Sequence, residues 1–258
     1  MSDWNSKQYL KFEKQRTQPS IDLAMHLNIE SPKKILDIGC GPGNSTNVLS
    51  QRFKDAYILG VDSSENMIKS AKEKYPDIRF EICDAANDLN KLDNDFDIVF
   101  SNACIQWIPD HKKLLPDMMK RLKKGGVLAI QTPLQYKQKI RKIISSVAQT
   151  QRWSSKFNFA ASRVFYNLMP AEYYDILAEI SDDFDMWETT YYHRMPSHQS
   201  LIDWYKGTGL RPYLNQLNDA DKIEFEKDIF EEVKRAYPVQ ENGEIIFAFP
   251  RLFFTAKK

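Results

Sequence analysis

The sequence predicts an α/β fold, a doubly wound and mostly parallel seven-stranded sheet with a helical insert or lid. Three observations predict it. Short apolar runs alternate with helical patterns through the first half of the chain, one run ends in a glycine-rich loop that opens a helix, and the second half carries long amphipathic segments before a last strand. With 258 residues, 42% of them hydrophobic, the chain can bury a sizeable core as one large domain or as a domain with a substantial insert.

The opening segment, Trp4 to Leu27, places Leu10, Ile21, Leu23, Ala24 and Leu27 among charges and predicts helix, break at Pro19, helix. Ile35-Leu36-Asp37-Ile38 reads as a strand, Gly39-Cys40-Gly41-Pro42-Gly43-Asn44 as a loop and Ser45 to Phe53 as a helix. The rhythm repeats. A strand at Tyr57–Val61 precedes Asp62, a helix over Glu65–Tyr75 is capped by Ser63 or Ser64, and a strand at Ile78–Ile82 precedes Cys83-Asp84. Phe96–Phe100 is a fourth strand, followed by a loop, a helix around Lys112–Leu122, a Gly125-Gly126 turn and a strand at Val127–Ile130. After Pro133, helices are expected over Tyr136–Trp153, Pro170–Ser181, Ser197–Tyr205 and Asp219–Tyr237, with strands at Met186–Tyr192 and Glu244–Ala256. The organisation expected is a single domain over 1–258. Residues 1–30 form an N-terminal helical cover, 31–133 a cofactor-binding half, 134–181 and 195–240 lid and substrate segments, and 182–194 and 244–256 the closing strands.

Lys plus Arg number 36 and Asp plus Glu 35, so the strong positive field of a phosphate-tracking protein is missing and nucleic-acid partners are not expected. Apolar runs such as Ile245–Phe249 fall well short of the roughly 20 residues that span a bilayer, so no membrane helix is expected. The polar start, with Ser2, Asp3, Lys7 and Lys11, does not resemble a secretory signal, and the expected compartment is the cytoplasm. Cys40, Cys83 and Cys104 form no CxxC pair, and His26, His111, His193 and His198 lack ligand spacing, so reduced thiols and no metal are expected. The chain is expected to be a monomer or a weak homo-oligomer.

Glycines directly after a strand let the backbone turn tightly and approach a ligand at the carboxyl end of the sheet. A dinucleotide fingerprint wants GxGxxG, whereas Gly43 comes one place early and Pro42 removes an N–H that could face a pyrophosphate, which disfavours a dehydrogenase. Asp62 ends the second strand, Asp84 follows the third and Asn102-Ala103 the fourth. Each acidic residue alone reads as a cap or turn residue. In register with the glycine loop, they read as one ligand site.

Asp37-Ile38-Gly39-Cys40-Gly41-Pro42-Gly43 resembles the first motif of the Rossmann-like class I S-adenosylmethionine-dependent methyltransferases. Asn102 to His111, Tyr191 to His198, Thr208 to Pro212 and Phe249 to Phe253, with Ser2-Asp3-Trp4-Asn5, narrow the resemblance to the trans-aconitate methyltransferase family. The resemblance implies S-adenosyl-L-methionine as cofactor and S-adenosyl-L-homocysteine as product, with a small tricarboxylic acid, trans-aconitate, as the partner esterified. It assigns cofactor binding to Arg16, Asp37, Gly39, Cys40, Gly41, Asp62, Ser63, Met67, Asp84, Ala85 and Asn102. Asp62 would meet the ribose hydroxyls, Asp84 the adenine amino group, and Arg16 the methionine carboxylate beneath a cover carrying Trp4, Tyr9 and Phe12. Gln106 and Trp107 would wall the transfer site, without a catalytic acid or base.

A tricarboxylate needs cations, and guanidinium pairs with carboxylate bidentately. Arg194, Arg211 and Arg251, with Tyr192 and His193 as donors, are therefore the substrate candidates; the other reading of the arginines is surface charge or pairing with Asp203 or Glu188. Segment 141–165 carries no placeable motif. The basic run Lys137-Gln138-Lys139-Ile140-Arg141-Lys142 reads as a solvated helix face, or as a surface for an acidic carrier protein if the acceptor is a carrier-bound dicarboxylate. Another small acceptor and a non-catalytic cofactor-binding module are the remaining alternatives. Ser101-Asn102-Ala103-Cys104 is not the Pro-Pro-aromatic loop of enzymes that methylate base amino groups.

Overall fold

The computed structural model describes residues 13–159 and 165–258; Trp4, Tyr9, Phe12 and the Ser2–Asn5 motif lie outside them. Seven strands are present among the described residues: β1 (Lys34–Ile38), β2 (Tyr57–Asp62), β3 (Arg79–Ile82), β4 (Phe96–Asn102), β5 (Leu122–Pro133), β6 (Phe184–Met195) and β7 (Ile245–Lys257). They form one sheet in the order β3-β2-β1-β4-β5-β7-β6, and β1–β2, β1–β4, β2–β3 and β4–β5 are parallel pairs. The run Ile35-Leu36-Asp37-Ile38 is buried throughout, as a central parallel strand covered on both faces must be. Strand order reverses between β1 and β4, so the loop after β1 lies at the topological switch point where open α/β sheets take ligands.

The chain forms two compact units. The first comprises Met1–Pro133, Tyr166–Glu188 and Leu252–Lys258; the second comprises Leu134–Phe165 and Thr189–Arg251. In the first unit, α1 (Glu13–His26), α2 (Asn44–Arg52), α3 (Glu65–Lys74), α4 (His111–Lys120) and α6 (Pro170–Ile180) accompany the strands. In the second, α5 (Lys139–Ala148), α7 (His198–Lys206), the short α8 (Arg211–Leu214) and α9 (Asp219–Ala236) pack around Trp153, Phe157, Phe225 and Phe247. Helix α9 shows why these segments fold. Phe225, Ile229 and Val233 share one buried face, Asn218 caps the start through the Asp221 N–H at 2.9 Å, and Lys234 and Arg235 stand at the negative end.

Two expectations are corrected. The break at Pro19 is absent, because Pro19 lies inside α1. An interior proline costs about 3 kcal/mol, and the fully covered Leu23 and Ala24 on the same helix, with Leu27 just beyond its end, offset it at about 1.5–3 kcal/mol per large side chain. The Gly125-Gly126 turn is instead a bulge inside β5, where the register with β4 shifts between Phe96 and Ile98. A Cβ at Gly126 would stand 2.9 Å from the Phe96 carbonyl oxygen, so glycine there lets the strands stay paired. Finally, α6, expected within a segment running to residue 181, is grouped with the first unit. Its Tyr173 is wholly buried, with its ring 5.3 Å from that of Phe254.

Candidate functional site

The glycine loop after β1 is held before any ligand enters. Gly39 and Cys40 both donate their N–H to the Val61 carbonyl, at 2.7 and 3.0 Å, and Gly41 donates to Asp62 Oδ2 at 3.0 Å. Gly39, Gly41 and Gly43 all have positive φ, but they serve different ends. A Cβ on Gly39 would lie 2.1 Å from Cys104 Sγ and one on Gly43 2.7 Å from Tyr75, whereas one on Gly41 would meet nothing within 4 Å. Gly39 and Gly43 are therefore closed by packing, and Gly41 faces open space. Pro42 follows it, and α2 opens with Gly43 as its N-cap.

Asp37 is fully buried inside β1. Its Oδ2 accepts from Ser45 and Thr46, both at 2.7 Å, and its Oδ1 has no partner among the described residues. Burial pushes its carboxyl up to about 6, against the two hydroxyl bonds and with help from the Asp62 charge. Cys40 does not offer its thiol to a ligand: the side chain packs with Ile68, Ala71 and Phe80, and burial raises the thiol well above its usual range.

Asp62 joins two elements. Oδ2 takes the Gly41 N–H, and Oδ1 takes the Ser64 N–H at 2.9 Å. Of the two cap candidates, Ser64 is the N-cap of α3, accepting from Met67 N at 3.3 Å, while Ser63 is exposed. The Met67 side chain is buried on the inner face of α3. Asp84 organises its own turn, with Oδ1 accepting from Ala86 N at 3.0 Å and Oδ2 from Asn87 at 2.8 Å, and Ala85 is half-buried in that turn. Arg16, on α1, is buried.

At the end of β4, Asn102 Oδ1 is buried without a partner among the described residues. Ala103 follows with φ 54°, a left-handed conformation that only a firmly held loop imposes on alanine. Its N–H donates to the Gln131 carbonyl at 2.9 Å, and its carbonyl accepts from Gln106 Nε2 at 2.6 Å. Gln106 Oε1 accepts from Thr132 at 3.2 Å, and Trp107 is half-buried. Beneath this loop His111 Nε2 lies 2.8 Å from the Ile105 carbonyl, so Nε2 carries the hydrogen and Nδ1 accepts from Tyr173 OH at 2.8 Å. Burial lowers the His111 pKa, which keeps that neutral form.

In the second unit the residues of β6 divide by strand parity. Tyr191 and His193 share a face, their rings 6.2 Å apart. Tyr192 and Arg194 take the other: Tyr192 is 71% exposed, and Arg194 is an exposed residue forked onto Glu244 at 2.7 and 3.0 Å. Tyr192 and Arg194 thus stand on the face opposite His193, and the partner of Arg194 is Glu244, neither Asp203 nor Glu188. His193 is 7% exposed, Nε2 lacks a partner among the described residues, and burial with the nearby Arg251 charge lowers its pKa to about 4. Arg251, 3% exposed, lies over the Phe249 ring at 4.5 Å and the Tyr191 ring at 5.9 Å. Arg211 is half-buried at the start of α8. Sequence reasoning did not single out Tyr191; its i, i+2 relation to His193 was the available signal.

The first unit fits an adenosyl amino-acid ligand. Open space at Gly41, an orphaned buried acceptor on Asn102 and carboxylates at the ends of β2 and β3 supply a backbone approach and polar partners along one edge. A family model described as a methyltransferase domain matches residues 29–197. The fold is similar to that of the YcgJ protein from Bacillus subtilis, with a TM-score of 0.61 at 16% identity over 93% of this chain and 98% of that one. It is also similar to phosphoethanolamine N-methyltransferase 2 of Haemonchus contortus, crystallised with S-adenosylmethionine, with a TM-score of 0.57 at 19% identity over 93% of this chain and 52% of that one. The trans-aconitate 2-methyltransferase of Escherichia coli O139:H28 (strain E24377A / ETEC) is 41% identical over 258 residues, covering 100% of this chain and 99% of that protein. That of Escherichia coli strain K12 / DH10B is 40% identical, with the same coverage. The chain belongs to the trans-aconitate 2-methyltransferase family, and so to the class I S-adenosylmethionine-dependent methyltransferases.

Proposed function

We propose that the protein esterifies one carboxylate of trans-aconitate, giving a monomethyl ester and S-adenosylhomocysteine. The bound cofactor supplies a methyl carbon made electrophilic by its positive sulfur. A carboxylate with a reference pKa near 4 is ionised at neutral pH, so its oxygen forms the new bond to carbon as the bond to sulfur breaks, and the electron pair leaves with sulfur. No proton moves and no general base is required. The work left to the chain is positioning and exclusion of water, effects worth roughly 7–11 kcal/mol when reacting atoms are well aligned.

In this reading, Asp62 receives the ribose hydroxyls while anchoring the loop, and Asp84 and Ala85 border the adenine. Gly39, Gly41 and Asn102 give the methionine part its backbone and amide partners, and Arg16 pairs with its carboxylate. Ser63 and Met67 line the same edge from the start of α3, and Cys40 acts through its backbone. Gln106 and Trp107 wall the transfer site. Arg251, His193 and Arg211 receive the acid. The observation that carries the substrate assignment is Arg251, a guanidinium almost wholly withdrawn from water beside a histidine held neutral. The reaction belongs in the cytoplasm; no described helix is long and apolar enough to cross a membrane.

Transfer from labelled S-adenosylmethionine, run in parallel with trans-aconitate, cis-aconitate, citrate and a malonyl-carrier conjugate, tests the reading. A base-labile monomethyl ester formed on trans-aconitate is the expected product. Transfer to the carrier conjugate alone, or to none with cofactor still bound, overturns it.

A further inference from the structure

One buried polar cluster of the second unit lies outside the roles assigned above. Gln138, the N-cap of α5, is buried, and its Oε1 accepts a hydrogen bond from the buried Tyr205 hydroxyl. That bond leaves Gln138 Nε2 buried with no partner among the described residues. One turn later, Arg141 donates to the neutral Gln135 Oε1 at 3.3 Å and lies over the Phe165 ring at 4.5 Å. Among the described residues no carboxylate pairs with it. Its surroundings are dry enough to lower its pKa, with only Tyr205 and Tyr213 opposing that shift.

The cluster continues into β6 and β7. The Tyr205 ring lies 6.0 Å from Phe247, Phe247 lies 5.9 Å from His193 and 5.3 Å from Phe249, and Arg251 covers Phe249 at 4.5 Å. The charges of Arg141 and Arg251 both act on the Tyr205 hydroxyl, opposing the rise that burial imposes. Two guanidiniums, an unused amide N–H pair and an unpartnered histidine nitrogen thus converge on one aromatic-walled region. Withdrawing a cation from water among neutral partners carries a desolvation cost unless a counter-charge arrives, and among the described residues Arg141 has no carboxylate partner.

We infer that Arg141 is a second carboxylate anchor, so that Arg141 and Arg251 each hold one carboxylate of the acceptor while Gln138 Nε2 and His193 add neutral contacts. The inference rests on the carboxyl-methylation reading and sharpens it: the acceptor class is an acid with two carboxylates beyond the one esterified. A dicarboxylate can fill both anchors or present a reacting group, but cannot do both. The monomethyl product is in the same position, so methylation stops after one ester.

The test measures kcat and KM for trans-aconitate and for a matching dicarboxylate lacking one carboxylate. It uses the wild type, Arg141→Gln and Arg141→Lys, with cofactor Kd and the melting temperature followed throughout. Direct calorimetry with propane-1,2,3-tricarboxylate in the presence of S-adenosylhomocysteine gives a readout that needs no turnover. Arg141→Gln is expected to raise the KM for trans-aconitate at least tenfold, leave cofactor Kd and kcat within about twofold, weaken tricarboxylate binding in parallel and abolish the preference for three carboxylates over two. Arg141→Lys keeps the charge and much of the stem but not the fork, and should fall between. Unchanged KM, binding and preference in both variants overturn Arg141 as an anchor while the esterification reading stands. Tricarboxylate binding that depends on Arg141 without transfer to trans-aconitate overturns the esterification reading while the anchor stands. A wild type that neither binds nor methylates these acids overturns both.

Discussion

The carboxylates around the glycine loop of the first unit and the cations and amide of the aromatic cluster in the second are satisfied in different ways. In the first, the carboxylates of the glycine-loop region are largely occupied from within: Asp37 by two hydroxyls, Asp62 by two backbone N–H groups, Asp84 by its own turn. In the second, Arg141 is half-buried on a neutral partner, and Gln138 and His193 sit buried with an unused amide nitrogen and, among the described residues, an unpartnered ring nitrogen. A site for a ligand shaped like a nucleoside is built largely from backbone and from carboxylates that the backbone holds. A site for a compact polyanion is built from side chains left incomplete, which the ligand completes. The difference teaches that one fold can hold its cofactor with groups already satisfied and its substrate with groups that await a partner.

The strongest way to break the comparison is Gly39→Ala, which places a Cβ against Cys104 at positive φ. A loss of about 4 kcal/mol or more is expected by thermal unfolding, with cofactor binding lost. Adding Cys104→Gly, which removes the colliding atoms, should restore part of it; no rescue would show the clash is not the cause.

The next largest effect concerns pH. Asp37, at about 6, binds its proton more tightly folded than unfolded, so its contribution makes stability fall as pH rises from about 4 to 6. His193, at about 4, binds its proton less tightly folded than its ordinary 6.5, so its contribution makes stability fall as pH drops from 6.5 to 4. The two slopes oppose each other over the same window. Asp37→Asn should leave a steeper loss toward acid than the wild type shows, and His193→Gln a shallower one, each by on the order of 2–3 kcal/mol across the window in chemical denaturation. Parallel curves for all three proteins would remove both assignments.

A crossed pair sharpens the division of labour. Asp62→Ala should weaken cofactor binding by roughly 1–3 kcal/mol in calorimetry while leaving the KM for the acid alone. Arg251→Ala should do the reverse, raising that KM about 10- to 100-fold with cofactor affinity kept. If both parameters move together in either variant, the two sites are not separable. The smallest effect is expected of Arg194→Ala, with no measurable change in melting temperature or in KM, because its ion pair with Glu244 is exposed. A tenfold KM change would place Arg194 in the site.

The cofactor half was legible because its signals are contiguous: an apolar strand, three glycines and a helix occupy consecutive positions, and the acidic residues fall at strand ends. Two local breakers misled, since Pro19 and Gly125-Gly126 punctuate a sequence but yield when a buried helix face or a neighbouring strand holds the backbone. The substrate half was legible only in part. Tyr191, Tyr192, His193 and Arg194 are four polar or aromatic residues in a row, and nothing in such a run fixes which alternate pair faces inward. Arg141 was hidden inside a basic run that reads as a solvated face, because its burial depends on Phe165 and Tyr205, far away in the chain.

Ala103 shows what an engineer would meet in this loop. Glycine there would relieve a left-handed alanine and, on backbone preference alone, make the folded protein more robust by about 1 kcal/mol. The same change would widen the conformations open to the segment carrying Asn102 and Gln106, so a screen that selects on heat resistance would enrich it and a screen that selects on turnover would discard it. The alanine marks a place where durability and catalytic competence are scored against each other.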